Sequence, residues 1–591
     1  MLKYVKNRWF LFASIVFIIT YYGISQLLPP SAWVYPARRI FVNFGLVLFI
    51  ISILATYRFS HHLSNSFSYN SVILFSSFVT CTLIYLFATT EFGMGGISGD
   101  AAFHTAYITK FSEKWGLIDY YYKDLPSFYS PGYFYILGKF AWVFGLEPYH
   151  MMKWGAIFAA WSLPIANYHF WRFIANGWDA AKITYVIFLT PTLFLNLIPN
   201  TYTVLSYVIF VPWWIYYVNG INVRNNRRSL TFYIIGAIVG SIVFLIDYYP
   251  FLIGGVSLII YSIYTRSVDQ IKKSVPMLLI TAIFASPFWS PLLWNLLTKP
   301  STVQHSRFLK QQFINIPLPF IPDPETKATL IISSLFLLGV YNLLINTRKD
   351  LHQSLLVLIL SCYVWYLVGY IGIAIGRPLM HVRADLLILV ILSISVGTVR
   401  PDIENIVEKD TIIKILASTI IIFAVMQTSM IGIIDNPNYK ESLYEDNPSP
   451  ELEQTMSSLN TTNSVFLANH EIFSYYPVYS YVSYKAYYSH PNGQFSDRIS
   501  YLRQISSATS GCEAFSLFRA APYDRIDYIL LESNNGAYRM YIGLDDFPRG
   551  STGDQLRFSP SLFENKYFIQ QSAGKYTLFV PRYNQFENRS C

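Results

Sequence analysis

Tyr133-Phe134-Tyr135-Ile136-Leu137-Gly138-Lys139-Phe140-Ala141-Trp142-Val143-Phe144 is apolar enough to enter a membrane and short for a segment that crosses one, since a hydrocarbon core takes roughly 20 residues of α-helix. Whether it crosses sets the side of every later loop. If it spans, the run Arg224, Arg227, Arg228 falls outside. If it is a short helix lying on or dipping into the outer face, that run becomes cytoplasmic, together with Arg58, Lys272, Lys273, Arg348, Lys349 and the 400–414 loop. Lys and Arg collect in short cytoplasmic loops. The second arrangement is therefore predicted: an outer-face helix, about thirteen spans, the N-terminus inside and the C-terminus outside.

The other apolar runs near span length are 9–28, 40–57 and 71–90, then 154–173, 183–197, 202–218, 230–247 and 251–264, and finally 275–297, 330–346, 355–375, 386–399 and 412–434. The first follows Lys3, Lys6 and Arg8 as a signal peptide would. It ends in Leu27-Leu28-Pro29-Pro30 without a small-residue cleavage site, so it reads as a retained anchor. Hydrophobic residues make up 53% of the 591 positions and charged residues 13%, with a mean hydropathy of +0.35. That balance excludes a string of soluble domains and predicts a multi-pass protein of the plasma membrane, with the lipid bilayer as its solvent. The net charge of +9 would suggest a nucleic-acid partner in a soluble protein. Here much of the excess lies in short loops, so no nucleic acid is expected.

This topology exposes three segments on the outer side: 91–153, 299–327 and everything after 435. The 376–385 loop and the Asp247-Tyr248-Tyr249 turn face the same way. After 434 no span-length run remains, and short apolar strands alternate with helical segments. Residues 464–468, 526–531 and 576–580 read as strands and 496–505 as a helix capped by Ser496. The expected organisation is a polytopic α-helical membrane part over 1–434, with 91–153 as its first large outer loop, a Pro- and Asn-rich linker over 435–450, and an extracytoplasmic α/β domain over 451–591. The four cysteines form no metal pattern. Cys81 and Cys362 lie in apolar spans; Cys512 and Cys591 fall in the outer part, where a disulfide and two free thiols are equally open readings.

Two constellations suggest chemistry. Gly93-Met94-Gly95-Gly96-Ile97-Ser98-Gly99-Asp100 leaves the third span and sets a carboxylate at the membrane surface. On its own it reads more simply as a flexible helix end with a solvated Asp. The second stretch, Trp115 to Phe134, surrounds Asp119 and Asp124 with Tyr120, Tyr121, Tyr122, Phe128 and Tyr129. Aromatic faces stack on sugars and prenyl chains while carboxylates accept hydroxyl protons. An interfacial aromatic belt accounts for the rings but not for the acids or the Ser130-Pro131-Gly132 turn.

The order of Gly99-Asp100, then Asp124-Leu125-Pro126-Ser127-Phe128-Tyr129-Ser130-Pro131-Gly132-Tyr133-Phe134, then Lys153-Trp154 resembles the actinobacterial galactan arabinofuranosyltransferases. The likeness continues in Tyr488-Ser489-His490-Pro491-Asn492-Gly493-Gln494-Phe495, in Arg498, and in Asp524-Arg525-Ile526-Asp527-Tyr528. The chain departs from the family pattern at Ala101, at His104 and at Ser130. The resemblance implies a GT-C fold and transfer of arabinofuranose from a decaprenylphosphoryl donor to a cell-wall galactan. It also implies Asp100 as the catalytic carboxylate.

A polyprenyl-phosphate sugar carries an anionic leaving group, so such an enzyme needs a base for the acceptor hydroxyl and cations for the departing phosphate. Asp100 is the expected base of an inverting transfer. Arg377, His381 and Arg383 are the first choice for the phosphate, with His305, Arg307 and Lys310 second. His104, Asp119, Asp124, Tyr129 and Asp247 complete the candidate substrate contacts. No metal site is predicted, although a divalent cation bridging Asp100 and Asp247 is left open. The partners expected are the lipid-linked donor and an extracytoplasmic glycan acceptor. A transporter or flippase of lipid-linked glycans is the runner-up, disfavoured because the acids sit at span ends and no repeated halves are visible. A scaffold whose outer domain binds glycan is the third reading.

Overall fold

The computed structural model describes residues 2–59, 64–220, 230–301, 314–321, 327–377, 379–399, 431–444, 446–461, 463–534, 536–546 and 549–586. Its first part is a bundle of helices with apolar residues on all sides, so each helix is either enclosed by neighbours or turned toward lipid. Large side chains such as Phe12, Ile19, Phe44, Ile263 and Leu367 are exposed on the bundle's outside, which suits hydrocarbon and not water. Three helices, Ser68–Phe87, Thr201–Val218 and Asp350–Ala374, are long and apolar enough to cross a membrane. Leu230–Ile246 and Tyr249–Thr265 have 17 residues each, about 26 Å of helix against a hydrocarbon core of about 30 Å.

Hydropathy alone misjudges two runs. The expected span 275–297 is two helices, Asp269–Phe284 and Ser286–Thr298, bent by 79°. Pro287 opens the second helix and has no N–H for Ile283, so the straight ladder ends there. The expected span 183–197 likewise divides at Thr190-Pro191 into Gly177–Leu189 and Pro191–Asn196. Residues 400–430, the run Arg224, Arg227, Arg228, and His305, Arg307 and Lys310 lie outside the described residues.

The stretch 133–144 forms a 13-residue helix, Gly132–Phe144, closed by Gly145 in the left-handed region. At about 20 Å it is short for a span. Tyr133, Phe134, Leu137 and Ala141 are buried against the protein, whereas Ile136, Phe140, Trp142, Val143 and Phe144 are exposed. Gly138 allows the close approach to the Gly99–Glu113 helix, since a Cβ there would stand 2.7 Å from the Ile108 carbonyl oxygen.

The second part is a seven-stranded sheet: β1 Val465–Ala468, β2 Tyr479–Ser480, β3 Tyr528–Asn534, β4 Ala537–Asp546, β5 Gly550–Phe558, β6 Phe568–Ala573 and β7 Tyr576–Pro581. Central β3 pairs with β1 in parallel and with β7 and β4 in antiparallel, and β4 and β5 form a long hairpin. Asp527 fixes where β1 and β3 meet: its carboxylate accepts from the Val465 N–H at 3.0 Å while its own N–H donates to the Val465 carbonyl at 2.9 Å. Helix Phe495–Ser506 is preceded by Gln494 in the left-handed region as its N-cap, two residues before the expected Ser496 cap.

Over β1, β3 and β7 the sheet is buried on both faces. Val465, Leu467, Ile529, Leu531 and Phe579 pack under the helices Phe495–Ser506 and Gly511–Arg519. Their neighbours Phe466, Ala468, Leu530, Tyr576 and Leu578 point the other way, into a core shared with Phe103, Tyr107 and Tyr120–Tyr122 of the 91–153 loop. Loop and sheet thus have one core between them.

Candidate active site

Gly95, Gly96 and Gly99 all have positive φ, at 94°, 56° and 51°, which bends the chain out of the Ser64–Phe87 helix and into Gly99–Glu113. Asp100 lies in the first turn of that helix, where the unsatisfied N–H groups favour an anion. Tyr488 donates its phenol to the Asp100 carboxylate, and Tyr484 donates to the Gly99 carbonyl at 2.9 Å. Burial, then the Asp100 charge, push the Tyr488 phenol far above its ordinary range, so it stays a donor.

A cavity of about 370 Å³ opens beside Asp100. Its polar wall includes Asp100, His104, Tyr129 and Arg383; aromatic rings and apolar side chains such as those of Leu252, Leu292 and Leu296 make up the rest. Local sequence explains how Tyr129 arrives there. Asp124, at φ 59°, turns the chain, the Ile118–Pro126 bridge closes the turn, and buried Ser127 donates to the Tyr129 carbonyl at 2.8 Å. Gly132 then admits the Leu230–Ile246 helix, because a Cβ there would sit 2.9 Å from the Leu245 carbonyl.

Arg383 is held by Thr203 at 3.0 Å, Tyr129 at 2.8 Å and Tyr202 at 3.1 Å, with the Tyr249 ring 5.8 Å from its guanidinium. The planar, always charged group is fixed against the cavity and matches a phosphate there. His104 stacks on Phe134 at 5.0 Å and meets Tyr202 edge-on.

Of the residues nominated from sequence, Asp100, His104, Tyr129 and Arg383 share this cavity. The others stand elsewhere. Asp247 is buried behind Arg383; it accepts from the Tyr249 N–H at 3.0 Å and faces the guanidinium charge. Asp247 does not line the cavity that Asp100 lines. Among the described residues no group of three or more His, Cys, Asp or Glu could hold a metal ion. His381 is fully buried between Tyr366 and Tyr370. Gly369 makes room for it, since a Cβ there would lie 2.4 Å from the His381 Cβ. Arg377 is exposed past the end of the Asp350–Ala374 helix, and Asp124 is exposed on its turn.

Asp119 is a correction of role. It is completely buried, and its carboxylate accepts from the N–H groups of Tyr121 at 3.0 Å and Tyr122 at 2.6 Å. Burial pushes it up to about 7, opposed by those two N–H groups and by the Lys110 charge. Lys110 donates to the carbonyls of Pro477 at 2.8 Å and Val478 at 2.6 Å and lies 3.7 Å from the Tyr479 ring centroid. Burial lowers its pKa well below the ordinary lysine value. These groups tie the loop to the sheet.

The string Tyr488–Phe495 has both jobs. Tyr487, Tyr488 and Pro491 line the cavity. Asn492 donates to the carbonyls of Asn295, Lys299 and Pro300 at the end of the Ser286–Thr298 helix. Gly493 lies against Tyr122, where a Cβ would meet the ring at 2.5 Å. Arg498 donates to the Gly493 and Tyr481 carbonyls and pairs with Asp524 at 2.7 Å. Cys81 and Cys362 are buried and unbridged; Cys512 lies on Gly511–Arg519, and Cys591 is outside the described residues. The sequence reading missed Tyr488 and Tyr487 as site residues, although the former begins a motif it had singled out.

The family model described as "Arabinofuranosyltransferase N terminal" matches residues 10–426, and "Arabinofuranosyltransferase A C terminal" matches 435–581. A galactan 5-O-arabinofuranosyltransferase of Mycobacterium tuberculosis (strain CDC 1551 / Oshkosh) is 21% identical over 555 residues, covering 86% of this chain and 84% of that protein. Its counterpart in Mycobacterium leprae is 20% identical over 564 residues, covering 86% and 87%. Among solved structures, ArnT from Cupriavidus metallidurans in the apo state overlaps with a TM-score of 0.49 at 10% identity, covering 86% of this chain and 97% of that one. The two family matches together take in both the helical part and the sheet, and the chain belongs to the arabinofuranosyltransferase A family of membrane glycosyltransferases.

Proposed function

We propose that this enzyme moves an arabinofuranosyl group from a polyprenyl-phosphate donor in the bilayer to a galactan-like acceptor on the extracytoplasmic side, with inversion at the anomeric carbon. The observation that carries the reading is the cavity in which Asp100 and a fixed Arg383 share one aromatic wall. The acceptor hydroxyl oxygen attacks the anomeric carbon, its proton passes to Asp100, and the bond from that carbon to the phosphate oxygen breaks. Arg383 stabilises the charge gathering on the departing polyprenyl phosphate. His104 and Tyr129 line the donor space. Asp247 and Tyr202 hold Arg383 in position.

The reading keeps the GT-C plan, the roughly thirteen spans, the cytoplasmic N-terminus and the outer placement of the 451–591 domain. The exposed apolar side of the Gly132–Phe144 helix supports that orientation, as an interfacial helix buries such a face in the outer leaflet. Asp100→Asn should abolish transfer in a membrane assay with radiolabelled polyprenyl-phosphate arabinofuranose while the protein is still produced and extracted. Full activity in that variant overturns the assignment of the base.

A further inference from the structure

Asp100 also lines a second cavity, of about 450 Å³, whose wall does not include Arg383. The two hollows differ in chemistry. The first is aromatic and carries a fixed cation. The second is walled by Ser98, Thr192, Asn196, Asn200, Asn436 and Asn438 among other residues, and Asp100 is the one charged side chain among those that line it.

The amides are ordered. Asn200 donates its side-chain N–H to the Asn196 oxygen at 2.9 Å, and Asn196 donates to the Thr192 carbonyl at 2.8 Å. The Gly95 N–H donates to the Asn438 carbonyl at 2.9 Å, joining the glycine loop to the 436–438 turn. A Cβ at Gly99 would meet nothing within 4 Å. Neutral amides and hydroxyls arranged around open space recognise a neutral, hydroxyl-rich ligand, since each amide offers both donors and an acceptor. An anion would meet Asp100 with no cation to offset it.

We propose that this amide-walled hollow is the subsite for the acceptor glycan, holding its non-reacting hydroxyls while the attacking hydroxyl faces Asp100. The proposal rests on Asp100 being the base. It separates the two substrates by chemistry: the phosphate-bearing donor on the Arg383 side, the neutral acceptor on the asparagine side. The acceptor enters past the Gly93–Gly99 loop and the 190–200 turn, and Asn196 and Asn200 are specificity-determining residues for it.

The test uses the full-length protein in membranes, a radiolabelled polyprenyl-phosphate arabinofuranose donor, and a short neutral galactan oligosaccharide as acceptor. Asn200→Ala should raise the acceptor KM at least tenfold with the donor KM changed less than twofold. Asn196→Trp, which fills the hollow, should remove acceptor saturation altogether. Thermal unfolding of both detergent-extracted variants within a few degrees of the parent shows that the fold is kept; if Asn196→Trp does not fold, Asn200→Ala still decides. An unchanged acceptor KM, or a rise in the donor KM instead, overturns the subsite. If that happens while Asp100→Asn is inactive, the base stands and the acceptor binds elsewhere. An active Asp100→Asn overturns both.

Discussion

The Gly99–Glu113 helix carries two sets of groups that look alike on paper. At its start, Asp100 lies beside Tyr488 and shares a cavity with Arg383; near its end, Lys110 lies beside Tyr479 and within the field of Asp119. Each set is one carboxylate, one cation and a shell of tyrosines. Their surroundings differ completely. The first set borders open volume with its cation fixed by three hydroxyls, whereas the second is filled in on every side, its cation donating to two carbonyls and its carboxylate accepting two N–H bonds. A charged group can bind or transfer only where space is left for a ligand; where the space is taken by backbone polar groups, the same residues hold two parts of the chain together.

The sharpest way to break this comparison is Asp100→Asn. Loss of a general base costs roughly 10²–10⁴ in rate, and the variant should keep the parent's unfolding temperature. An equal fall in stability would place Asp100 with the structural set. Arg383→Lys comes next: a lysine cannot reproduce the planar contacts to Tyr129, Tyr202 and Thr203, and transfer should fall on the order of 10²-fold, read as kcat at saturating acceptor.

For the second set the expectation inverts. Lys110→Met keeps the length but leaves the Pro477 and Val478 carbonyls without that donor, costing about 1–3 kcal/mol of stability. The transfer rate per folded molecule should stay close to the parent's, checked by denaturant unfolding alongside the membrane assay. The last effect is on pH. Burial raises Asp119 from 3.8 to about 7, so between those values the folded state binds the extra proton and stability falls as pH rises. Asp119→Asn removes that slope. Its unfolding temperature relative to the parent should climb between pH 4 and 7 and level off above; a difference that is flat across that range sinks the buried-acid account.

Membrane character was legible because apolar composition needs no partner to be read, and the same holds for β1, β3 and β7, whose short apolar runs are buried on both faces. The β4–β5 hairpin was not legible. Met540, Ile542, Leu556 and Phe558 alternate correctly into the core, but Gly543, Gly550, Gly553 and the charged residues between them obscure the pattern. The breaks at Thr190-Pro191 and Ser286-Pro287 were concealed for the opposite reason: their flanks stay apolar, so hydropathy runs through a turn that proline imposes.

By itself the sequence determined that this is a multi-pass membrane protein of the arabinofuranosyltransferase A family, and it named Asp100, His104, Tyr129 and Arg383, because residue type and motif order are local properties. Only the tertiary structure decided that Tyr488, 388 positions away, holds the Asp100 carboxylate. It likewise showed that Asp119 is buried and that Asp100 stands between an aromatic cavity and an amide-lined one. Those facts depend on which distant segments share a core, and one-dimensional spacing does not carry that information.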